Sequence, residues 1–397
     1  MPVPSDSAPT TARGPLSVAL RTLAAGALLT LAACGEPGST DEARILVASG
    51  FTDQVFVLDP GSGAVLDSLA VGRRPYARSE PHAMAVAPSG DRWYLTLAHG
   101  EPQLQVYERP GHRMIGALTL PMGGAARVGL TPDGAVAFVP DYGRSAGEEP
   151  GEVARIRTRT LVITHRTPIC PAPHDARVDP SGELVLVTCA FGFEVVLLSA
   201  SDLSERARIV VAEEPRGGME GREAPRHAGP SEHPGASMHG ADSVGPAGSR
   251  GAMPMPMNAA WSPDGSRAWV TLMGGDRIVE VGREGDVRRT VEAGPQPTSL
   301  LVTPDGRRLL VTNRQGPSLS IFSLPELELE REIDLGDAPH PQGITMGSEG
   351  GTAWVSYEGE VGSQGGVIAL DLDSGQLRWQ TVVGAYVLGI AWLPSLP

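Results

Sequence analysis

Lysine is absent from this chain of 397 residues, and all 32 of its basic side chains are arginine. A Schiff base needs a lysine amine, and the phosphate-binding P-loop needs a lysine beside its glycines. Both kinds of chemistry are therefore excluded. The sequence also lacks a Cys-x-x-Cys-His haem attachment motif, a His-Glu-x-x-His zinc motif and a dinucleotide-binding glycine run.

Positive charge is scarce as well, because the formal net charge is −14 at pH 7. The residues before Cys34 carry a net +1 from Asp6, Arg13 and Arg21, so the chain from Cys34 onward carries −15. An acidic surface of this size repels phosphate backbones. Nucleic acid is therefore not an expected partner.

The N-terminal segment has the pattern of an export signal. Arg13 and Arg21 precede an apolar run from Thr22 to Ala33, which is too short to span a bilayer but suits a signal-peptide core. The sequence Leu-Ala-Ala-Cys34 resembles the lipobox of bacterial lipoproteins, whose cysteine is lipidated and becomes the new N-terminus. This resemblance predicts a signal peptide over residues 1–33, a lipidated Cys34, a tether over 34–43 and a lipid-anchored location in the bacterial cell envelope, periplasmic or cell-surface. The alternative is an ordinary cleaved signal in which the cysteine is fortuitous.

The whole chain contains 50 glycines and 36 prolines, and beyond the N-terminal segment these residues mark frequent turns. Its most regular stretch, Pro297 to Asn313, has two apolar runs around the turn Pro304-Asp305-Gly306, which is a β-hairpin pattern. Pro-(Asp/Ser)-Gly turns start at Pro88, Pro132, Pro180, Pro263 and Pro304, and a degenerate Ser348-Glu349-Gly350 follows. Eight positions after each turn start lie Thr96, Pro140, Thr188, Thr271, Thr312 and Ser356, five of which carry a hydroxyl.

Each hairpin is followed by two more short strand-like runs, and four strands in about 43 residues form a blade of a β-propeller. The segment Arg44 to Val71 lacks the opening strand of such a blade, and the run Tyr386 to Pro394 supplies one. Pairing of these ends would remove exposed sheet edges. The sequence therefore predicts an all-β, seven-bladed β-propeller over residues 44–397, closed by pairing of the C-terminal strand with the first blade.

Three copies of the second strand carry a recognisable motif: Leu186 to Cys189 reads LVTC, Trp269 to Leu272 reads WVTL and Leu310 to Asn313 reads LVTN. With the preceding turns they resemble the YVTN-type β-propeller repeats of bacterial extracytoplasmic proteins, although tyrosine is missing from the first motif position. The resemblance covers residues 44–397 and implies the propeller fold. Related propellers include lactonase-like enzymes and haem-binding domains, so the fold leaves the function open.

Candidate binding residues come from the opening strand of each blade, which lines the central channel of a propeller. Six positions before each turn start lie His82, Ala126, His174, Met257, Thr298 and Gln342, with Leu388 completing the ring. Imidazole and thioether groups suit copper, so His82, His174 and Met257 are candidate metal ligands. The alternative is a ring of mixed residues that holds only water. His340 lies two positions off the ring and is not counted in it.

An insertion at about 212–255 separates the fourth and fifth blades, because two turns there are 83 residues apart. It is rich in Gly, Pro and Ala, which predicts a disordered segment or a loose lid. Its soft side chains are Met219, His227, His233, Met238, His239, Met253 and Met255. They suggest transient binding of copper, whereas the absence of a His-x-His spacing favours a solvated linker.

The two cysteines beyond Cys34 are Cys170 and Cys189, and a disulfide between them is expected in an oxidising compartment. A metal site with His174, or two separate thiols, are the alternatives. The run Asp371 to Gly375 resembles the start of a calcium loop. A plain hairpin turn is favoured, because Asp59-Pro60-Gly61 occupies the equivalent turn of the first blade.

Together these features predict an extracytoplasmic, membrane-anchored propeller that acts as a non-catalytic binding or scaffold module. Its expected partners are the membrane, through the lipid anchor, and an envelope protein, a glycan or a small ligand at the channel mouth. One alternative is a copper-binding or redox-accessory propeller, and a second is a lactonase-like hydrolase. Metal-dependent lactonases need acidic ligands around the channel, and the predicted ring contains no acid.

Overall fold

The computed structural model describes residues 42–72, 78–144, 150–213, 253–360 and 362–396. Within these ranges the chain forms seven four-stranded antiparallel sheets and one 3-10 turn, Tyr142–Arg144. No helix in the described ranges is long and apolar enough to cross a membrane. The predicted signal peptide, Cys34, most of the tether and residues 214–252 of the predicted insertion lie outside the described residues.

The seven sheets are called blades 1 to 7, and the strands of each are named in hydrogen-bonded order, opening strand first. Blade 1 contains β28 (Val387–Leu393), β1 (Arg44–Ser49), β2 (Gln54–Leu58) and β3 (Val65–Ala70). Blade 2 contains β4 (Pro81–Val86), β5 (Arg92–Leu97), β6 (Gln103–Glu108) and β7 (Arg113–Thr119). Blade 3 contains β8 (Gly129–Leu130), β9 (Val136–Pro140), β10 (Gly151–Arg157) and β11 (Val162–Cys170).

The remaining blades follow the same order. Blade 4 contains β12 (Pro173–Val178), β13 (Leu184–Cys189), β14 (Glu194–Ser199) and β15 (Glu205–Val210). Blade 5 contains β16 (Met255–Trp261), β17 (Arg267–Met273), β18 (Arg277–Gly282) and β19 (Val287–Glu292). Blade 6 contains β20 (Pro297–Val302), β21 (Arg308–Asn313), β22 (Ser318–Ser323) and β23 (Leu329–Asp334). Blade 7 contains β24 (Pro341–Met346), β25 (Thr352–Tyr357), β26 (Gly365–Asp371) and β27 (Leu377–Gly384).

The C-terminal strand closes the ring. β28 pairs antiparallel with β1, so that Trp392 lies opposite Ile45 and Ile390 opposite Val47. The prediction of an all-β, seven-bladed propeller closed by this pairing is confirmed.

The hydrophobic core lies between neighbouring blades. One cluster joins Leu310 and Ile321 of blade 6 to Val355 and Ile368 of blade 7. Burying a side chain of this size contributes about 1.5–3 kcal/mol. Because the middle strands of each blade are buried between its neighbours, their sequences are nearly continuous apolar runs. The outermost strands, such as β3, are largely exposed.

The Pro-(Asp/Ser)-Gly turns lie together on one face, which we call the turn face. Gly306 adopts a φ of 71°, a left-handed conformation that favours glycine. A Cβ atom there would lie 3.1 Å from Pro263 of the preceding turn. The turn after β26 also fits the favoured hairpin interpretation, since Asp371 accepts a 2.9 Å hydrogen bond from the Ser374 amide.

On the opposite face, which we call the mouth face, one hydroxyl joins each blade to the next at five junctions. In blade 6, Thr312 accepts the Ser299 amide at 3.0 Å and donates to the Gln342 carbonyl of blade 7 at 2.9 Å. The same pair of bonds is made by Thr96, Thr188, Thr271 and Ser356. The repeated hydroxyl therefore joins the opening strands around the channel.

Two junctions lack this hydroxyl, because Ala48 and Pro140 occupy its position. Between blades 1 and 2, the Asp53 carboxylate accepts the amides at positions 79 and 80, at 3.0 Å and 2.9 Å. Between blades 3 and 4, Cys170 at the end of β11 forms a disulfide with Cys189 at the end of β13. The predicted disulfide is present and covalently joins the two blades.

Candidate functional site

Opening strands from every blade except blade 3 bring the predicted ring residues together at the mouth of the channel. The cavity there has a volume of about 20 Å³, enough for about one water molecule. It is lined by His82, Arg127, His174, Met257, Asn258, Thr298, Gln342, Leu388 and Gly389. Six of the seven ring positions line it, and in blade 3 Arg127 does so instead of Ala126. That these residues bind a ligand stays a prediction.

His174 is held by blade 5. Its Nδ1 lies 2.9 Å from the carbonyl oxygen of Met257, which can only accept, so Nδ1 carries the hydrogen. The Tyr142 ring packs edge-on against the imidazole at 5.1 Å, and the His82 ring lies 6.0 Å away. Burial, together with the charge of Glu80, raises the pKa of Tyr142 to about 12, so its hydroxyl is neutral at physiological pH.

Arg127 reaches across the channel from blade 3 to blade 6. Its Nη2 donates to the Ser299 hydroxyl at 2.7 Å. Burial lowers the pKa of Arg127 to about 10, although the nearby Asp175 opposes this effect, so the guanidinium stays charged. The cation therefore occupies the middle of the mouth and narrows it.

A buried carboxylate, Glu80, lies beside two histidines. Its oxygens lie 3.5 Å from His82 Nδ1 and 3.3 Å from His99 Nε2. Burial alone would raise the pKa of Glu80, but hydrogen bonds from both histidines hold it well below its ordinary value. Burial lowers the pKa of His99, and the bond and charge of Glu80 more than offset this, so the pKa of His99 is raised. The group therefore behaves as an ion pair.

A second buried carboxylate, Glu358, lies between blades 6 and 7. It accepts a 2.7 Å hydrogen bond from Arg314 and another from the Gln342 amide of the ring. Its side chain is 6% exposed, so this ion pair is largely shielded from water. The ring position Gln342 is therefore fixed by a charged pair.

Two columns of mouth residues were missed by the sequence analysis. The first lies eight positions before each turn start and holds Glu80, Gly124, Ala172, Met255, Gln296 and His340. The second column lies ten positions after each turn start and holds Ala98, Tyr142, Ala190, Met273, Arg314 and Glu358. In blade 6, for example, the Gln296 carbonyl accepts the Arg314 amide at 2.9 Å. The same turn-based numbering that gave the ring could have found both columns.

Other predicted residues fall at the edges of the mouth. Met255, assigned by the sequence to the insertion, begins β16, and Met253 packs beside it. His227, His233, His239, Met219 and Met238 lie outside the described residues. Among the residues that the structure describes, no three His, Cys, Asp or Glu side chains come together to hold a metal ion.

The sequence Gly143 to Gly147 has a Gly-x-Ser-x-Gly spacing that was also missed. In hydrolases this motif places a nucleophile between a strand and a helix. In this chain it follows β9 of a propeller blade, and Ser145 lies outside the described residues. The spacing alone therefore carries no catalytic assignment.

A cavity of about 950 Å³ lies on the turn face and is lined by residues of blades 3, 4 and 5. Its lining includes Arg155, Arg206 and Arg283, and Arg283 pairs with Asp179 at 2.5 Å and with Glu183 at 2.7 Å. No motif in the sequence indicated this groove.

The fold and the channel mouth define the class of protein as a seven-bladed β-propeller. No protein-family model matches the chain, and no curated protein matches it. Solved structures share the fold. The periplasmic gluconolactonase of Pseudomonas aeruginosa is 18% identical, with a TM-score of 0.63 over 90% of this chain and 100% of its own.

Two further structures are similar to the chain. A protein from Lactobacillus plantarum has a TM-score of 0.64 and 16% identity, covering 89% of this chain and 99% of its own. Hydrazine synthase of Kuenenia stuttgartiensis has a TM-score of 0.56 and 14% identity, covering 74% and 77%. At such identities the likeness concerns the fold alone. The resemblance to YVTN repeats and to lipoproteins stays a prediction.

Proposed function

We propose that this protein is a non-catalytic binding module of the bacterial cell envelope, anchored through a lipidated Cys34. Its channel mouth would recognise a polar envelope component, either a protein segment or a glycan. The observation that carries the proposal is that the charged side chains of the mouth are already paired and its cavity is small. Arg127 spans it, Glu80 and Glu358 are already engaged in ion pairs, and the cavity holds only about 20 Å³.

These features favour surface recognition over turnover. A pocket that encloses a small-molecule substrate typically measures about 300–1,000 Å³. A carboxylate that acts as general base must also be available to the reacting proton. A mouth of fixed ion pairs instead presents oriented charges and amides to a partner that lies across it.

The test is a thermal-shift screen of the purified protein against muropeptides, envelope glycans and peptides. A true ligand stabilises the folded state by mass action, by about 2.7 kcal/mol at a hundredfold excess over Kd, and therefore raises Tm. The variant Arg314→Gln at the mouth should lose the shift, and Arg308→Gln at the other end of β21 should keep it. Equal loss in both variants would contradict recognition at the mouth.

A copper-binding propeller is the second candidate, because His82, His174 and Met257 line one cavity. Imidazole ligands bind metal in their deprotonated form, so affinity should be weaker in more acidic solution. Titration with Cu(II) at pH 7.5 and 5.5 checks this. Equal affinity at both values would contradict histidine ligation.

A lactonase-like hydrolase is the third candidate and rests on a likeness of fold to a gluconolactonase. Turnover of a panel of sugar lactones would support it only if Glu80→Gln or Glu358→Gln abolished the activity. We expect no turnover above the uncatalysed rate.

A further inference from the structure

Methionine is concentrated at one place on the mouth face. Met253 lies two residues before Met255, the first residue of β16, and Met257 follows in the same strand. Met273 lies directly opposite Met255 in β17. All four side chains pack into a single cluster.

This concentration is unusual within the molecule. The chain has 11 methionines, and four of them belong to this cluster. In the other described clusters methionine appears at most once each, as Met346, Met122 and Met84. A methionine used only to fill a gap in a core, as is common, would be expected to occur singly.

Their positions in the repeat argue further against a simple core role. Met255 stands in the first mouth column, where other blades place Glu80, Gln296 and His340. Met273 stands in the second column, where blades 6 and 7 place Arg314 and Glu358. Met257 is a ring residue and lines the channel cavity. Blade 5 therefore presents thioethers at mouth positions that are polar or charged in blades 6 and 7.

Thioether sulfur is a soft ligand that selects Cu(I). It carries no proton, so its affinity for metal does not depend on its own ionisation. The two described cysteines are joined in a disulfide, which leaves methionine as the softest ligand on this face. His174, through its bond to the Met257 carbonyl, fixes the strand that carries two of the sulfurs, those of Met255 and Met257.

We propose that Met253, Met255, Met257 and Met273 form a thioether site for one Cu(I) ion at the blade 5 edge of the mouth. This ligand set differs from a site of His82, His174 and Met257, because it contains no titratable group. The proposal of a Cu(I) site does not depend on the proposal that the protein is a binding module.

The test is titration of the full chain with Ag(I), a redox-inactive substitute for Cu(I), with methyl-labelled methionine observed by NMR. One equivalent should shift the methyl signals of the four cluster methionines and leave those of Met84 and Met346 in place. Met255→Leu and Met273→Leu should each weaken Ag(I) binding at least tenfold. Met346→Leu is the matched control, and it should leave the affinity unchanged.

Leucine has nearly the volume of methionine, so these variants should fold, and an unchanged Tm checks this. A further variant, with residues 214–252 replaced by a short Gly-Ser linker, should bind Ag(I) as the full chain does. Affinity should also be the same at pH 5.5 and 7.5. The proposal is overturned if the Leu variants bind normally, if binding disappears with the insertion, if it weakens at the lower pH, or if no Ag(I) binds.

Discussion

The junctions between blades 5, 6 and 7 are held differently from those that precede blades 2 and 4. The first kind uses a repeated hydroxyl, as at Thr271 and Thr312, which accepts an amide of its own blade and donates to a carbonyl of the next. The second kind has Ala48 or Pro140 at that position and so lacks the hydroxyl. The Asp53 carboxylate holds the first of these junctions, in the way that Asp276 supplements the hydroxyl between blades 5 and 6, and a disulfide holds the second.

The two exceptional junctions lead directly to His82 and His174, the two histidines of the ring. At the second, the Arg127 amide rather than a hydroxyl donates to the His174 carbonyl, at 3.3 Å. The repeat therefore supplies the scaffold of the ring, and each ring histidine lies directly after a junction that departs from the repeat. Four variants test this contrast between the two kinds of junction.

Removing the disulfide should weaken the junction between blades 3 and 4. The cysteines are 19 residues apart, and opening a loop of this length costs about 3 kcal/mol in the chain-entropy account. The variant Cys170→Ala/Cys189→Ala should therefore unfold at lower denaturant, with faster amide exchange in β11 and β12 than in β20 and β24. Uniform acceleration in all four strands would contradict a local role.

Removing one junction hydroxyl should lower the free energy of unfolding somewhat less than removing the disulfide does. Thr312→Val keeps the shape but leaves the buried Ser299 amide and Gln342 carbonyl without this partner, which costs about 2 kcal/mol in the free energy of unfolding. Chemical denaturation measures the loss. Thr290→Val on the exposed strand β19 is the control, with an expected change within about 0.5 kcal/mol. If the two variants behaved alike, the hydroxyls would not hold the ring.

The contact across the channel should contribute about 1.5 kcal/mol, the lower end of the range for hydrogen bonds to charged groups. Ser299→Ala removes the acceptor of Arg127. A double-mutant cycle with Arg127→Met should show coupling of at least about 0.5 kcal/mol. Strict additivity would show that the bond does not contribute to stability.

The smallest expected effect is the pH dependence of the stability that Glu80 and His99 contribute. The pKa of Glu80 is lowered from 4.5, so its stabilisation is present above pH 4.5 and is lost as pH falls through the folded pKa. The pKa of His99 is raised from 6.5, so its stabilisation is present below pH 6.5 and is lost as pH rises through the folded pKa. Both contributions coexist between these values.

Glu80→Gln should therefore lower Tm most between pH 4.5 and 6.5, by about 3 °C. Scanning calorimetry across pH 4 to 8 measures the difference from wild type. Glu349→Gln, at an exposed turn, should show no such maximum. A difference that is flat with pH would contradict the ion pair.

The sequence predicted the fold well because its signals are local and repeated. Turn residues such as Gly306 fix the hairpins, and the spacing of the turns fixes the blade and hence the ring residues. The site was only partly predictable. The Arg127–Ser299 bond joins two residues that are 172 positions apart in the sequence. The pairing of Glu358 with Arg314 depends on how neighbouring blades face each other. Such contacts have no local pattern in the sequence.

Photocrosslinking tests the central claim, that the mouth face is the functional face, most directly. Glu360 and Glu349 are both exposed glutamates near opposite ends of blade 7, the first at the mouth and the second on the turn face. A photoreactive amino acid would replace each in turn in intact cells, followed by blotting for adducts. A discrete adduct is expected from position 360 and none from position 349. An adduct from position 349 alone, or none from either position, would contradict the central claim.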